Sequence, residues 1–135
     1  MAKREIVRSE SAPQVGFSPG MASPISQGTR FGNLVFVSGM GPLDPETKQL
    51  TATDIEGQVR STLDNVDAVL QAGGSSLANT LKVNCYLRDM GDFPVWNKVF
   101  KEYFPGDPPA RTTVQASAPR EGVLVEIEAI GCIPD

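Results

Sequence analysis

Histidine is absent from this 135-residue chain. That absence excludes Ser-His-Asp and Cys-His catalysis and any His-ligated zinc centre. Acid–base chemistry is left to Glu, Asp, Lys, Tyr, water or backbone groups. Cysteine is scarce: Cys85 and Cys132 lie far apart, without metal or redox spacing, and read as reduced small hydrophobes in strands. No stretch of about 18 apolar residues occurs, so no membrane span is expected. The N-terminus, Met-Ala-Lys-Arg-Glu-Ile-Val, lacks the apolar core of a signal peptide. A cytoplasmic protein is the default expectation. An excess of positive charge is missing too. Twelve Lys and Arg stand against 16 Asp and Glu, giving net charge −4 and a pI near 4.8. This argues against a nucleic-acid partner, which calls for a basic face.

What is present suits one domain over residues 1–135, with 40% hydrophobic residues to build a core. Ile6 and Val7 suit a short first strand. Residues 11–28 are rich in Ser, Pro and Gly and read as a long loop, and loops of that length are often functional. Residues 30–33 read as a turn. Residues 34–37 read as a strand apolar on both faces, ended by Ser38-Gly39. A turn at 44–47 leads to a short return strand beginning at Gln49-Leu50.

Thr53 or Asp54 is placed to cap a helix carrying Ile55, Val59, Leu63, Val66, Val69 and Leu70 at helical spacing, stopped by Gly73-Gly74. Leu81, Val83, Cys85 and Leu87 then alternate with polar residues, as a strand does. Asp92 and Pro94 open a second helix with Trp96, Phe100 and Tyr103 or Phe104 on its buried stripe. From Pro109 to Ile130, two strand-like runs flank a Pro-Arg-Glu-Gly turn, predicting a hairpin. Two helices cover only one face of five or six strands, so the other apolar face predicts a homo-oligomer.

Each chemistry-bearing residue has an ordinary alternative. Arg111 opens a strand and offers a planar fork suited to a carboxylate; taken alone, a structural ion pair or a surface Arg is the commoner account. Glu126 sits inside an apolar strand, where a charge is costly unless it is paired or used; with Glu128 it also reads as an edge guarded by charge. Ser38-Gly39 offers backbone donors for an anion, or a mere turn. Asn97 suits a site or a wet helix face. Gly39-Met-Gly41 and Gly73-Gly74 lack phosphate-loop spacing.

In combination these segments are specific. Leu-Val-Phe-Val-Ser-Gly at 34–39, the Gly-Gly stop, Val-Trp-Asn-Lys-Val-Phe-Lys-Glu-Tyr-Phe at 95–104, Pro-Ala-Arg-Thr-Thr-Val at 109–114 and Val-Glu-Ile-Glu-Ala-Ile at 125–130 occur in that order. From about Ser23 to Ile133 the chain resembles the RidA family of reactive intermediate (imine/enamine) deaminases. The resemblance implies an α+β, chorismate-mutase-like fold: a mixed, mostly antiparallel sheet of about six strands with two helices on one face. It implies a homotrimer with ligand clefts between subunits. It implies hydrolysis of 2-aminoacrylate or 2-iminopropanoate, released by pyridoxal-phosphate enzymes, to a 2-oxo acid and ammonia, with no cofactor of its own.

Carried over by position, Arg111 is the carboxylate-binding Arg and Glu126, 15 residues later, the acid at the hydrolytic water. Ser38, Gly39 and Asn97 line the cleft. Two positions depart from the family pattern: Ile25 stands where a Tyr is usual, and Thr113 where a Cys is common. Loss of the Tyr leaves a related deaminase of 3-aminoacrylate or 2-aminomuconate as an alternative. A non-catalytic ligand sensor is another, and a ribonuclease or translation inhibitor is disfavoured by the acidic composition.

Overall fold

A computed structural model describes residues 2–16 and 22–135. Met1 and residues 17–21, part of the expected long loop, lie outside the described residues. The strands are β1 (Glu5–Val7), β2 (Gly28–Phe31), β3 (Leu34–Met40), β4 (Thr80–Leu87), β5 (Ala110–Gln115) and β6 (Val125–Cys132); the helices are α1 (Ile55–Ala72) and α2 (Phe93–Tyr103). The strands form one sheet in the order β1-β2-β3-β6-β4-β5, antiparallel except for β4 beside β5. Both helices pack on one face. The expected α+β architecture, with its mixed sheet and one-sided helical layer, is the one observed.

Helix α1 starts where Asp54 accepts a hydrogen bond from the Gly57 N–H at 3.0 Å, and stops at Gly73, followed by Gly74 at φ +94°. Its stripe of Val59, Leu63, Val66, Val69 and Leu70 is buried against β3 and β6. Each such side chain removed from water contributes about 1.5–3 kcal/mol. Gln58 is fully buried on the same helix, and its amide is satisfied by Ala52 O, Gly122 O and Leu124 N–H, tying the helix start to the segment before β6. Helix α2 buries Trp96, Val99 and Phe100, with Phe104 stacked behind Phe100 at 4.5 Å between ring centres.

The expected hairpin at 109–130 does not form. β6 inserts between β3 and β4, and β5 lies outside β4, parallel to it. The reason is burial. β6 has Val125, Ile127 and Ala129 buried on one side and half-buried residues on the other, so it belongs in the centre; β5 exposes Thr112 and Val114, so it belongs at an edge. The crossover through α2 then makes β5 parallel to β4. The alternative reading of Glu126 and Glu128 as edge charges falls with the hairpin.

Three smaller differences follow from local geometry. Residues 28–31 pair as β2, and only Gly32 (φ +59°) and Asn33 turn. The expected return strand reduces to a single bridge, Leu43 to Leu50, because Asp44 folds the segment by accepting the N–H groups of Glu46 and Thr47. Leu81 is exposed, since the β4–β6 register shifts between Thr80 and Lys82 and turns it out of the buried row. On the face away from the helices, Ile6 and Phe36 remain exposed, and Ile130 beside Phe36 is half-buried.

Candidate functional site

Two groups of the expected residues come together, on opposite faces of the sheet. The first lies between β5 and α2. Arg111 faces the same way as its neighbour Val83, toward the helices. Its guanidinium carbon sits 5.5, 5.3 and 4.7 Å from the ring centres of Phe93, Trp96 and Phe100. Aromatic faces attract a cation and here also hold it in place. Arg111 Nη2 donates to Asn97 Oδ1 at 2.7 Å. Thr113, two residues along, accepts the Trp96 indole N–H at 2.9 Å. Arg111, Asn97 and Thr113 therefore form one cluster, built on a strand and a helix.

Among the described residues no ion pair reaches Arg111; the pairs present join Arg60 and Lys98 to Glu56 and Glu102. The guanidinium is oriented but not neutralised. Burial lowers its pKa from the ordinary Arg value, with the Cys85 thiol acting the other way. Cys85, opposite Thr113, is pushed up to about 12 by burial, so it is a buried thiol and no thiolate nucleophile.

The second group lies on the open face. Ser38 and Gly39 do not end a strand, as expected; they form a bulge in β3, where Val37 pairs with Ala129 and Met40 with Ile127. Ser38 Oγ donates to Ser26 O at 2.6 Å and so holds the loop that carries Ile25. Ile25 is exposed, in a hollow of about 310 Å³ shared with Ser26 and Gln27. Glu126 lies directly over Gly39: a Cβ there would meet Glu126 Oε2 at 2.5 Å. Only a residue without a side chain leaves that space.

Burial raises the pKa of Glu126 above the ordinary carboxylate value, and Glu128 raises it further. Tyr86, which pairs with Glu126 across the β4–β6 ladder, donates its hydroxyl to Glu128 Oε1. That bond is the main reason the Tyr86 phenol is pushed up to about 12.

Arg111 and Glu126 thus leave opposite faces. Val83 and Ala129 pair on the helix side beside Arg111, while Val125 and Ile127, flanking Glu126, turn Glu126 to the open side. One chain does not bring the two together. Sequence reasoning missed the aromatic cage of Arg111, although Phe93, Trp96 and Phe100 at spacings of three and four carry its signal. It also missed the Tyr86–Glu128 bond, which depends on strand order. No helix among the described residues is long and apolar enough to cross a membrane.

Comparison with known proteins finds relatives of the whole chain. The Endoribonuclease L-PSP family model matches residues 17–133. The chain is 41% identical to a RutC family protein of Pyrococcus horikoshii, over 94% of this chain and 96% of that one. It is 34% identical to the chloroplastic Reactive Intermediate Deaminase A of Arabidopsis thaliana, over 97% of this chain and 67% of that one. Its fold superposes on the crystal structure of Escherichia coli TdcF with bound serine at a TM-score of 0.83, with 32% identity, covering 96% of this chain and 99% of the other.

Proposed function

The chain belongs to the Endoribonuclease L-PSP family, which also holds proteins named reactive intermediate deaminases, and from that membership we propose that it hydrolyses a carboxylate-bearing enamine or imine to a 2-oxo acid and ammonia. The substrates are of the 2-aminoacrylate and 2-iminopropanoate type. The observation that carries the reading is the Arg111 guanidinium, caged by three rings, steered by Asn97 and paired with no carboxylate among the described residues. A fork held this way is suited to an external carboxylate. The bound serine of TdcF is itself a small carboxylate.

The site works between copies. Arg111 of one subunit clamps the substrate carboxylate, and Glu126 of the partner subunit handles water and protons; a homotrimer with such seams also covers the exposed Phe36 and Ile6. The clamp fixes the imine carbon in one orientation, which replaces a bimolecular encounter by a prepared geometry. Water adds to the C=N carbon, and the resulting carbinolamine expels ammonia. Glu126 is within the chemistry as acid and base.

The test is ammonia release from freshly generated enamines, made by a serine or threonine dehydratase in the same cuvette. Wild-type protein accelerates release. Arg111→Ala and Arg111→Lys lose it by about 100-fold or more, because neither presents the fork. Full activity in Arg111→Ala removes the clamp. A wild-type protein that binds 2-oxo acids without turnover is a sensor. The family's name raises a ribonuclease reading, against which the net charge of −4 weighs; cleavage of RNA by the same preparation, lost in the variants, decides for it.

A further inference from the structure

Glu126 is not alone on the open face. Glu128 projects beside it from the same central strand, two residues on, and Tyr86 stands directly across from Glu126 while donating its hydroxyl to Glu128 Oε1. β3 offers no charge here, only Ser38 and the space above Gly39. On β4, Asn84 pairs with Glu128, and Lys82, further along, donates its ammonium to Thr112 at 2.9 Å. Arg88 follows the end of β4 and is exposed. The charge that acts on Glu126 is therefore another carboxylate, Glu128, anchored by a phenol.

We propose that Tyr86 and Glu128 are positioning residues for the hydrolysis: by anchoring one negative charge beside Glu126, they make Glu126 the group that carries the proton to the departing nitrogen. The inference rests on the deaminase reading. Two neighbouring carboxylates resist a second ionisation, and burial acts on Glu126 in the same sense.

The cycle balances from a protonated Glu126. Its proton goes to the imine nitrogen, or to the methylene carbon of an enamine. Water then forms the C–O bond while the C=N π pair moves to nitrogen, and the proton shed by water returns to the Glu126 carboxylate. Glu126 protonates the amine a second time. The C–N bond breaks, its electron pair leaves with ammonia, and the carbinol O–H proton restores the Glu126 acid as C=O forms. No other donor is consumed. An ionised Glu126 has no proton to start with, so turnover falls as pH rises through its titration.

The experiment is the pH profile of kcat in wild type, Glu128→Gln and Tyr86→Phe. With substrate bound, its carboxylate neutralises the Arg111 clamp, so kcat reports the charge around Glu126. Glu128→Gln keeps an acceptor for Tyr86 and removes the charge. Its alkaline limb moves to lower pH, with the acid plateau retained; each unit of movement is about a tenfold loss on that limb. Tyr86→Phe frees the charge without deleting it and moves the limb less, in the same direction. A merely structural pair lowers kcat equally at every pH, and that result, or an unmoved limb in Glu128→Gln, overturns the proposal. Carboxyl ¹³C NMR of Glu126 reads the same displacement without substrate. A wild-type protein inert on every enamine defeats the deaminase reading and the proton role with it, whereas an active wild type with identical Glu126 titrations in both proteins defeats only this inference.

Discussion

Mixing two inactive variants, Arg111→Ala and Glu126→Gln, restores activity if the site lies between chains. The amount follows from the two faces of the sheet. Arg111 points to the helix side and Glu126 to the open side, so the proposed site, which uses both, takes one residue from each of two copies. In an equal, randomly assembled mixture, half the subunits carry an intact Arg111 and the other half an intact Glu126. A given seam has both with probability about one half times one half, or about one quarter. The fraction is the same for a dimer or a trimer, because each seam samples two chains. The assay is co-expression with distinct tags, purification of the mixed assembly, and ammonia release per subunit against wild type. About 25% recovery is expected. Recovery no greater than the sum of the separate variants refutes the split site, since residues contributed by one chain are never both intact in the mixture.

Gly39→Ala places a methyl 2.5 Å from Glu126 Oε2, too close for both to stay, so Glu126 moves. A shift on the order of 1 Å at an acid–base group costs about 100-fold in kcat, with the circular dichroism spectrum and oligomer mass unchanged; wild-type kcat in this variant removes Glu126 from the chemistry. Thr113→Val deletes the acceptor of the fully buried Trp96 indole N–H. It lowers unfolding free energy by about 1–3 kcal/mol in urea at fixed protein concentration, and unchanged stability shows that the Trp96 donor finds another partner.

The pieces of this fold are legible in local patterns. Val59, Leu63, Val66 and Leu70 at helical spacing, the Asp54 cap, the Gly73-Gly74 stop and the alternation from Val83 to Leu87 all mark elements where the structure has them. The exception at Leu81 shows the limit: its period is right, but it is the extra residue where two steps along β4 oppose one along β6, and the shift turns it outward. Composition alone also decided what chemistry was closed to the molecule, because no fold supplies a histidine the chain does not contain.

Strand order was not legible in this way. Two β runs around a Pro-Arg-Glu-Gly turn satisfy the local rules for a hairpin, yet β6 lies between β3 and β4, and β5 on the far side of β4. Only competition for burial among all six strands settles that arrangement. The same competition fixed the direction of each candidate side chain. Residue types nominated Arg111 and Glu126, while the pleat parity of two non-adjacent strands sent them to opposite faces and seated Tyr86 on Glu128. Periodicity is written in neighbours along the chain and can be read there; which face a strand turns toward which neighbour is a property of the packed sheet, because it depends on contacts between residues far apart in sequence.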